Sequence, residues 1–240
     1  LVFALSLGRD AVEAAVVFLG ALTSAHRLPQ QQAVLVGSQA PGRPWIDLSL
    51  QLISLVAAVM PVALVFHFLK RSGESASDIG LDGSLPLLDA TAGVGLALLL
   101  GGLGLALYLG ARAAGANLTV VPETLPSVWW KIPVLLLSAL QNGVLEEILV
   151  VGYLLHRLRQ LGWSDSRALM VSAFLRASYH LYQGLGGFAG NAAMGVIFGR
   201  LYQRYGRLLP LVVAHTLIDA TTFVGYVLLA GHVSWLPIPR

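Results

Sequence analysis

Two adjacent carboxylates, Glu146 and Glu147, stand inside a run that is otherwise apolar from Ile132 almost to His156. In a membrane-inserted helix a single acidic residue near the centre costs about 2.5–3.5 kcal/mol, so the pair opposes most of the apolar gain of the run. Residues that costly face a wet or polar interior and find partners there. The plainer alternative puts both at a helix end among lipid headgroups. It fits poorly, because Ile148 to Leu155 follow without a charge before the basic His156, Arg157 and Arg159. The chain must therefore bring other polar groups to this helix.

Composition sets the surroundings. Hydrophobic residues make up 56% of the chain and charged residues only 11%, against about 25% charged in an ordinary soluble domain. Mean hydropathy is +0.75. We read an all-α, polytopic membrane protein. At ~20 residues per span the length accommodates about seven transmembrane helices in one integral-membrane domain, residues 1–240. There is no cysteine, which excludes disulfides and thiolate metal sites. The net charge of +3 and pI near 9.4 come from residues that set topology, so no nucleic-acid partner is expected. No cleavable signal peptide is recognisable.

In chain order, the first apolar segment, about 1–25, carries Arg9 and Glu13 one helical turn apart, where they can neutralise each other. Residues 26–45, rich in glutamine and proline, read as a loop. Spans are expected over 46–69, 90–109, 131–155, from about 165 to 182, 188–203 and 208–229, with polar loops over 72–89 and 112–126. Asp165 or Ser166 is the expected cap of the fifth. In the third, Gly102, Ala106 and Gly110 form a small-residue face that invites another helix. Trp129 and Trp130 read as an interfacial anchor. Asn117-Leu-Thr matches a glycosylation sequon, a weak signal in isolation. On the sixth span Gly187, Asn191, Gly195 and Gly199 line one stripe; it reads equally as a packing seam and as a supporting role for Asn191.

Alternating the loops places Lys70, Arg71, Arg157, Arg159, Arg167, Arg200, Arg204 and Arg207 on one side. Arg27, Arg43, Arg112, Lys131 and Arg240 fall on the other. The positive-inside rule then expects a cytoplasmic N-terminus in the cell's inner or plasma membrane.

Three spans carry ionisable groups at helical spacing. Glu146 and Glu147 lie in the fourth, Arg176 and His180 in the fifth, and His215 and Asp219 in the seventh. Each of the last two pairs is four residues apart and so shares a helix face. A lone histidine would read as a hydrogen-bonded packing residue. Six such groups on three apolar helices argue for one shared site. There is no cysteine nucleophile, no Gly-x-Ser-x-Gly elbow and no His-Glu-x-x-His signature. What remains is a carboxylate that takes a proton from water, with imidazoles that ligate a divalent metal or support an oxyanion.

At these residues the sequence resembles the CPBP family, the intramembrane CAAX-prenyl-protease-like and bacteriocin-processing (Abi) proteins. The family pattern is Glu-Glu-x-x-x-Arg, then Phe-x-x-x-His, then His-x-x-x-Asn or Asp. Here it is matched by Glu146-Glu147 with Gly152-Tyr153 following, by His180, and by His215 with Asp219, over about 125–229. The resemblance implies a multi-helix fold with a laterally open cavity and peptide-bond hydrolysis in a membrane-anchored protein or peptide substrate at the lipid bilayer. It assigns water activation to Glu146 with His180, support to Glu147, and the oxyanion or the rest of the polar site to His215 and Asp219. It leaves open whether one divalent ion such as zinc, on Glu146, His180 and His215, takes part or the glutamate acts alone.

Two departures stand out. Val151 occupies the family arginine position, and Arg176 that of the family phenylalanine. If these are one change, Arg176 contacts Glu147, or Glu146 if the helix is rotated. If not, a catalytically inactive scaffold or immunity protein of the same fold is the alternative. A proton-coupled transporter is a third reading, since buried Glu and His also build proton relays.

Overall fold

Backbone amides cannot bond to water within lipid, so an apolar run satisfies them inside itself as helix. The computed structural model describes residues 1–234, 236 and 237; Arg240, counted above for orientation, lies outside the described residues. Among these residues the chain forms seven helices. They are α1 Leu7–Leu22, α2 Pro44–Arg71, α3 Pro86–Ala113, α4 Lys131–Gln160, α5 Asp165–Tyr179, α6 Leu185–Tyr205 and α7 Leu209–Leu229. Of these α2, α3, α4 and α7 are long and apolar enough to cross a bilayer. The protein is an all-α membrane protein. Helices α1 and α5, of 16 and 15 residues, fall short of the ~20 that a straight crossing needs.

Local chemistry sets the ends. Pro44 and Pro86 open α2 and α3 at the first helical turn, where the missing N–H is no loss. Lys70 and Arg71 close α2 against its negative dipole end. Gly206, at φ 66°, supplies the left-handed residue that stops α6. Ser164, one residue before the expected cap, accepts a 3.4 Å bond from the Arg167 amide at the start of α5. That helix stops at Tyr179, short of the expected 182, and α6 begins at Leu185.

Helices α3 and α4 both pack on α7, and α5 packs on α6. The close approach of α3 to α7 runs through Gly93, where a Cβ would stand 2.6 Å from Val213 and 2.9 Å from the Pro210 carbonyl oxygen. The face expected to receive a helix does not. Gly102 and Gly110 have nothing within 4 Å of a Cβ, and Ala106 is exposed. Hydropathy and spacing are the same for both faces, so only the packing distinguishes them.

Two segments read as loops contain short strands. β1 Gln32–Val36 and β2 Thr119–Glu123 pair in parallel, with Ala33 opposite Val120 and Val34 opposite Val121. Each holds β-branched residues, Val34 and Val36 in β1 and Thr119 to Val121 in β2. Pairing arises because the α1–α2 and α3–α4 connections meet at one end of the bundle. Beside them Asn117 is buried and accepts a 3.1 Å bond from the Gly187 amide, a tie between the residues entering β2 and α6 that shuts the sequon's side chain inside the protein. Trp129 is exposed, whereas Trp130 is 2% exposed and belongs to a core with Val134 and Phe223. Only the first tryptophan can anchor at an interface. At the opposite end Arg207 grips Asp89 with two 2.7 Å bonds. There Glu74 gathers His156, Arg157 and Gln160 at the end of α4.

Candidate active site

The site forms where α5 faces the middle of α4. Ser172, Arg176 and Tyr179 recur at one-turn intervals on α5, so they share the face turned to α4. Each bonds across. The Ser172 hydroxyl donates to the Val150 carbonyl at 2.7 Å, Arg176 Nη2 to Glu147 Oε1 at 2.5 Å, and the Tyr179 phenol to Glu146 Oε2 at 2.7 Å. The facing part of α4 is not regular α-helix. From Glu147 to Tyr153 its hydrogen bonds close over five residues, a π-helical stretch of the kind common at functional sites. Gly152 within it lies against Leu208, where a Cβ would come to 2.9 Å.

Arg176 is completely buried. The expected contact with Glu147 is present, but in a different form from a bidentate fork. Nη2 holds Glu147 while Nη1 lies 3.8 Å from Glu146 Oε2, so one guanidinium spans both carboxylates. Its plane lies over the Phe198 ring at 5.7 Å, a favourable cation–π placement. Room for the stem comes from α6: a Cβ on Gly195 would stand 3.3 Å from Arg176 Cδ and 2.9 Å from Ala173 Cα. The glycine stripe is thus a packing seam around the arginine. Asn191 turns its amide back to the Gly187 carbonyl at 3.0 Å within its own helix and is not joined to the glutamates.

The two histidines are fixed by the same means. His215 Nδ1 lies 2.7 Å from Glu147 Oε1. His180 Nδ1 lies 2.9 Å from the Arg176 carbonyl oxygen. Both partners accept only, so each Nδ1 carries the proton and donates, leaving Nε2 to face the site. His180 Nε2 stands 4.0 Å from Glu146 Oε1, and His215 Nε2 3.9 Å from Asp219 Oδ2. Asn142, one turn before Glu146, donates to Asp219 Oδ2 at 2.8 Å. His180 follows a helix that ends early and His215 lies in the second turn of α7, which is how both reach the glutamates.

The structure therefore gathers Glu146, Glu147, Arg176, His180, His215 and Asp219. Tyr179 and Asn142 join them without having been singled out from the sequence. Both were readable by spacing: Tyr179 lies three residues from Arg176, and Asn142 four from Glu146. The imidazole and carboxylate donors are of the type that holds zinc. Among the described residues, however, no three are gathered as a metal would need, and no step below runs through one.

A family model described as "Type II CAAX prenyl endopeptidase Rce1-like" matches residues 128–221. That segment contains every residue of the cluster. No curated protein and no solved structure matches the chain.

Proposed function

We propose, taking this chain as a member through residues 128–221 of the Rce1-like, type II CAAX prenyl endopeptidase family, that it hydrolyses a peptide bond of a membrane-associated substrate with water activated by Glu146. The observation that carries this is the division of labour between the oxygens of Glu146. Oε2 is held by Tyr179, while Oε1 faces His180 Nε2 across 4.0 Å, a gap that a bound water can bridge.

In this reading the water donates one hydrogen bond to His180 Nε2 and the other to Glu146 Oε1. Glu146 takes the proton as the water oxygen bonds to the carbonyl carbon and the carbonyl electron pair moves onto its oxygen. His215, with both ring nitrogens protonated, presents Nε2–H to that oxyanion, its orientation set by Glu147. Asp219, fixed by Asn142, stands 3.9 Å from that same Nε2 and bounds the polar site on this side. Collapse re-forms the carbonyl and breaks the C–N bond, and Glu146 returns its proton to the leaving amine. Arg176 bonds Glu147 at 2.5 Å beside Glu146, a charge partner in place of the absent α4 arginine, which supports catalysis over the scaffold reading that a missing arginine had favoured. We keep the N-terminus cytoplasmic, as the positive charges direct.

The test is Glu146→Gln in the full chain, in membranes, with a library of membrane-anchored peptides. Cleavage should fall by about 10³-fold or more while detergent-solubilised protein keeps its melting temperature. The folded variant should also retain uncut substrate for identification. Undiminished cleavage by the folded variant would remove the mechanism.

A further inference from the structure

Resting on the reading just given, we propose that Tyr179 is a positioning residue that selects Glu146 Oε1 as the reactive oxygen. It does so by occupying Oε2 with its phenol. A carboxylate has two equivalent oxygens, and a free one exchanges them by rotation about its last torsion. A general base must instead present one oxygen in a fixed direction. The only hydroxyl bonded to Glu146 is that of Tyr179, at 2.7 Å among the described residues.

The phenol is itself held. Tyr179 is 6% exposed, and its ring lies against that of His180, with centroids 4.7 Å apart and planes tilted by 41°. One side chain thus fixes the carboxylate through its hydroxyl and the facing imidazole through its ring. Burial is what gives the bond its weight: a phenol donating to a carboxylate away from water is a charge-assisted bond, stronger than one between neutral groups. Arg176, one turn earlier on α5, performs the parallel service for Glu147. A single turn of α5 therefore sorts two neighbouring carboxylates into a supporting one, hydrogen-bonded to the cation, and a reactive one, hydrogen-bonded to a neutral donor with the cation 3.8 Å from the same oxygen.

The experiment uses the full chain in nanodiscs. Tyr179→Phe keeps the ring and removes only the donor. Its kcat should fall about 10- to 100-fold with KM unchanged, and in a Glu146→Gln background it should change substrate retention no further. A second readout needs no proteolysis. Hydrophobic carbodiimides add to a free carboxyl oxygen, so labelling of Glu146, followed by mass spectrometry, should quicken several-fold in Tyr179→Phe, where no phenol occupies Oε2. Should that variant fold poorly, 3,5-difluorotyrosine at position 179 keeps the ring and strengthens the donor, and it should slow the labelling. Unchanged labelling in both replacements overturns the proposal whether or not the protein cleaves peptides. Wild-type protein that labels as expected but cleaves nothing overturns the peptidase reading and leaves the role of Tyr179 standing. A Tyr179→Phe protein that loses activity through KM or melting temperature alone reduces the residue to packing.

Discussion

Helices α3 and α4 are matched in length, at 28 and 30 residues, and both are apolar enough to cross a membrane. Their surroundings are opposite. Only 6% of the most apolar stretch of α3 is buried within the protein, against 67% of that of α4. Apolarity says that both segments enter the membrane, and it is silent on whether lipid or protein covers them. The polar residues decide. In α3 the buried residues are Asp89 and Gly93, near its start, one held by Arg207 and the other pressed on α7. In α4 the glutamates sit at mid-length, where lipid cannot solvate them. Helices α5 and α7 therefore wrap that segment and bond its carboxylates, Glu147 through Oε1 and Glu146 through Oε2. The costliest residues of the chain choose its core.

If so, the largest effect should come from removing the cation that makes the arrangement possible. Arg176→Leu leaves Glu147 buried with His215 as its remaining partner and should cost about 3–5 kcal/mol. Thermal unfolding in detergent would read this, and activity should vanish with it. Adding Val151→Arg returns a cation to α4 and should restore part of the stability. A harmless Arg176→Leu would mean that the polar cluster does not hold the core, and the contrast between the two helices would need another cause.

Next comes the seam that admits the arginine. Gly195→Leu drives a side chain toward Ala173 Cα, a backbone atom that moves only if α5 does. Overpacking of this kind costs about 1–3 kcal/mol, read as a lower melting temperature. A melting temperature equal to that of wild type would show that α6 does not press on α5 there.

A smaller effect joins the two regions at the bundle end. Burial alone would raise the Glu74 carboxyl. Hydrogen bonds from His156, Gln160 and Arg157 outweigh that and hold it below its ordinary value of 4.5. A group whose folded pKa is depressed adds stability above the unfolded value and loses it as pH falls through the folded one. Glu74→Gln should therefore be less stable than wild type at neutral pH, by about 1 kcal/mol or less given solvent screening. The gap should close as pH drops below 4.5. A gap that persists in acid would place the contribution in packing rather than charge.

These expectations also mark what could be read from the sequence. The apolar segments of α2, α3, α4 and α7 were legible from hydropathy. The meeting of three helices was legible because Glu146, Glu147, Arg176, His180, His215 and Asp219 are each too costly to leave in lipid. Arg176 could even be assigned its partner, since Val151 left Glu147 without one. The π-helical stretch had no local signal: Ile148 to Val151 fit an α-helix as well, and it is the bonds from Ser172 and Arg176 that accompany the change. The β1–β2 pairing depends on two loops meeting across some 80 residues of chain, which no local pattern records. The burial of Trp130 beside the exposed Trp129 likewise follows from the turn of α4's first residues. Small-residue spacing misled for a related reason. It marks a surface that permits close approach, and the presence of a partner is a tertiary fact.

The smallest expected effect tests that last point. Gly102 and Gly110 share a face of α3 with nothing near a Cβ, so a side chain there displaces lipid rather than protein. Gly102→Leu should shift stability by no more than about 0.5 kcal/mol from lost contacts. The change also removes a flexible residue from a helix interior, which works in the stabilising direction. Gly93→Ala is the control on the same helix, because its Cβ meets Val213 and the Pro210 carbonyl and has no free direction. The pair separates spacing from packing: both are glycines in one apolar helix, and only one touches a neighbour. Elution volume in mild detergent provides the second measurement. If Gly102→Leu leaves melting temperature and elution unchanged while Gly93→Ala lowers the former, α3 is a lipid-facing helix held at its Asp89 end. If Gly102→Leu lowers the melting temperature or shifts elution to a smaller species, another copy of the chain covers that face. The contrast with α4 would then lie in which protein buries each helix.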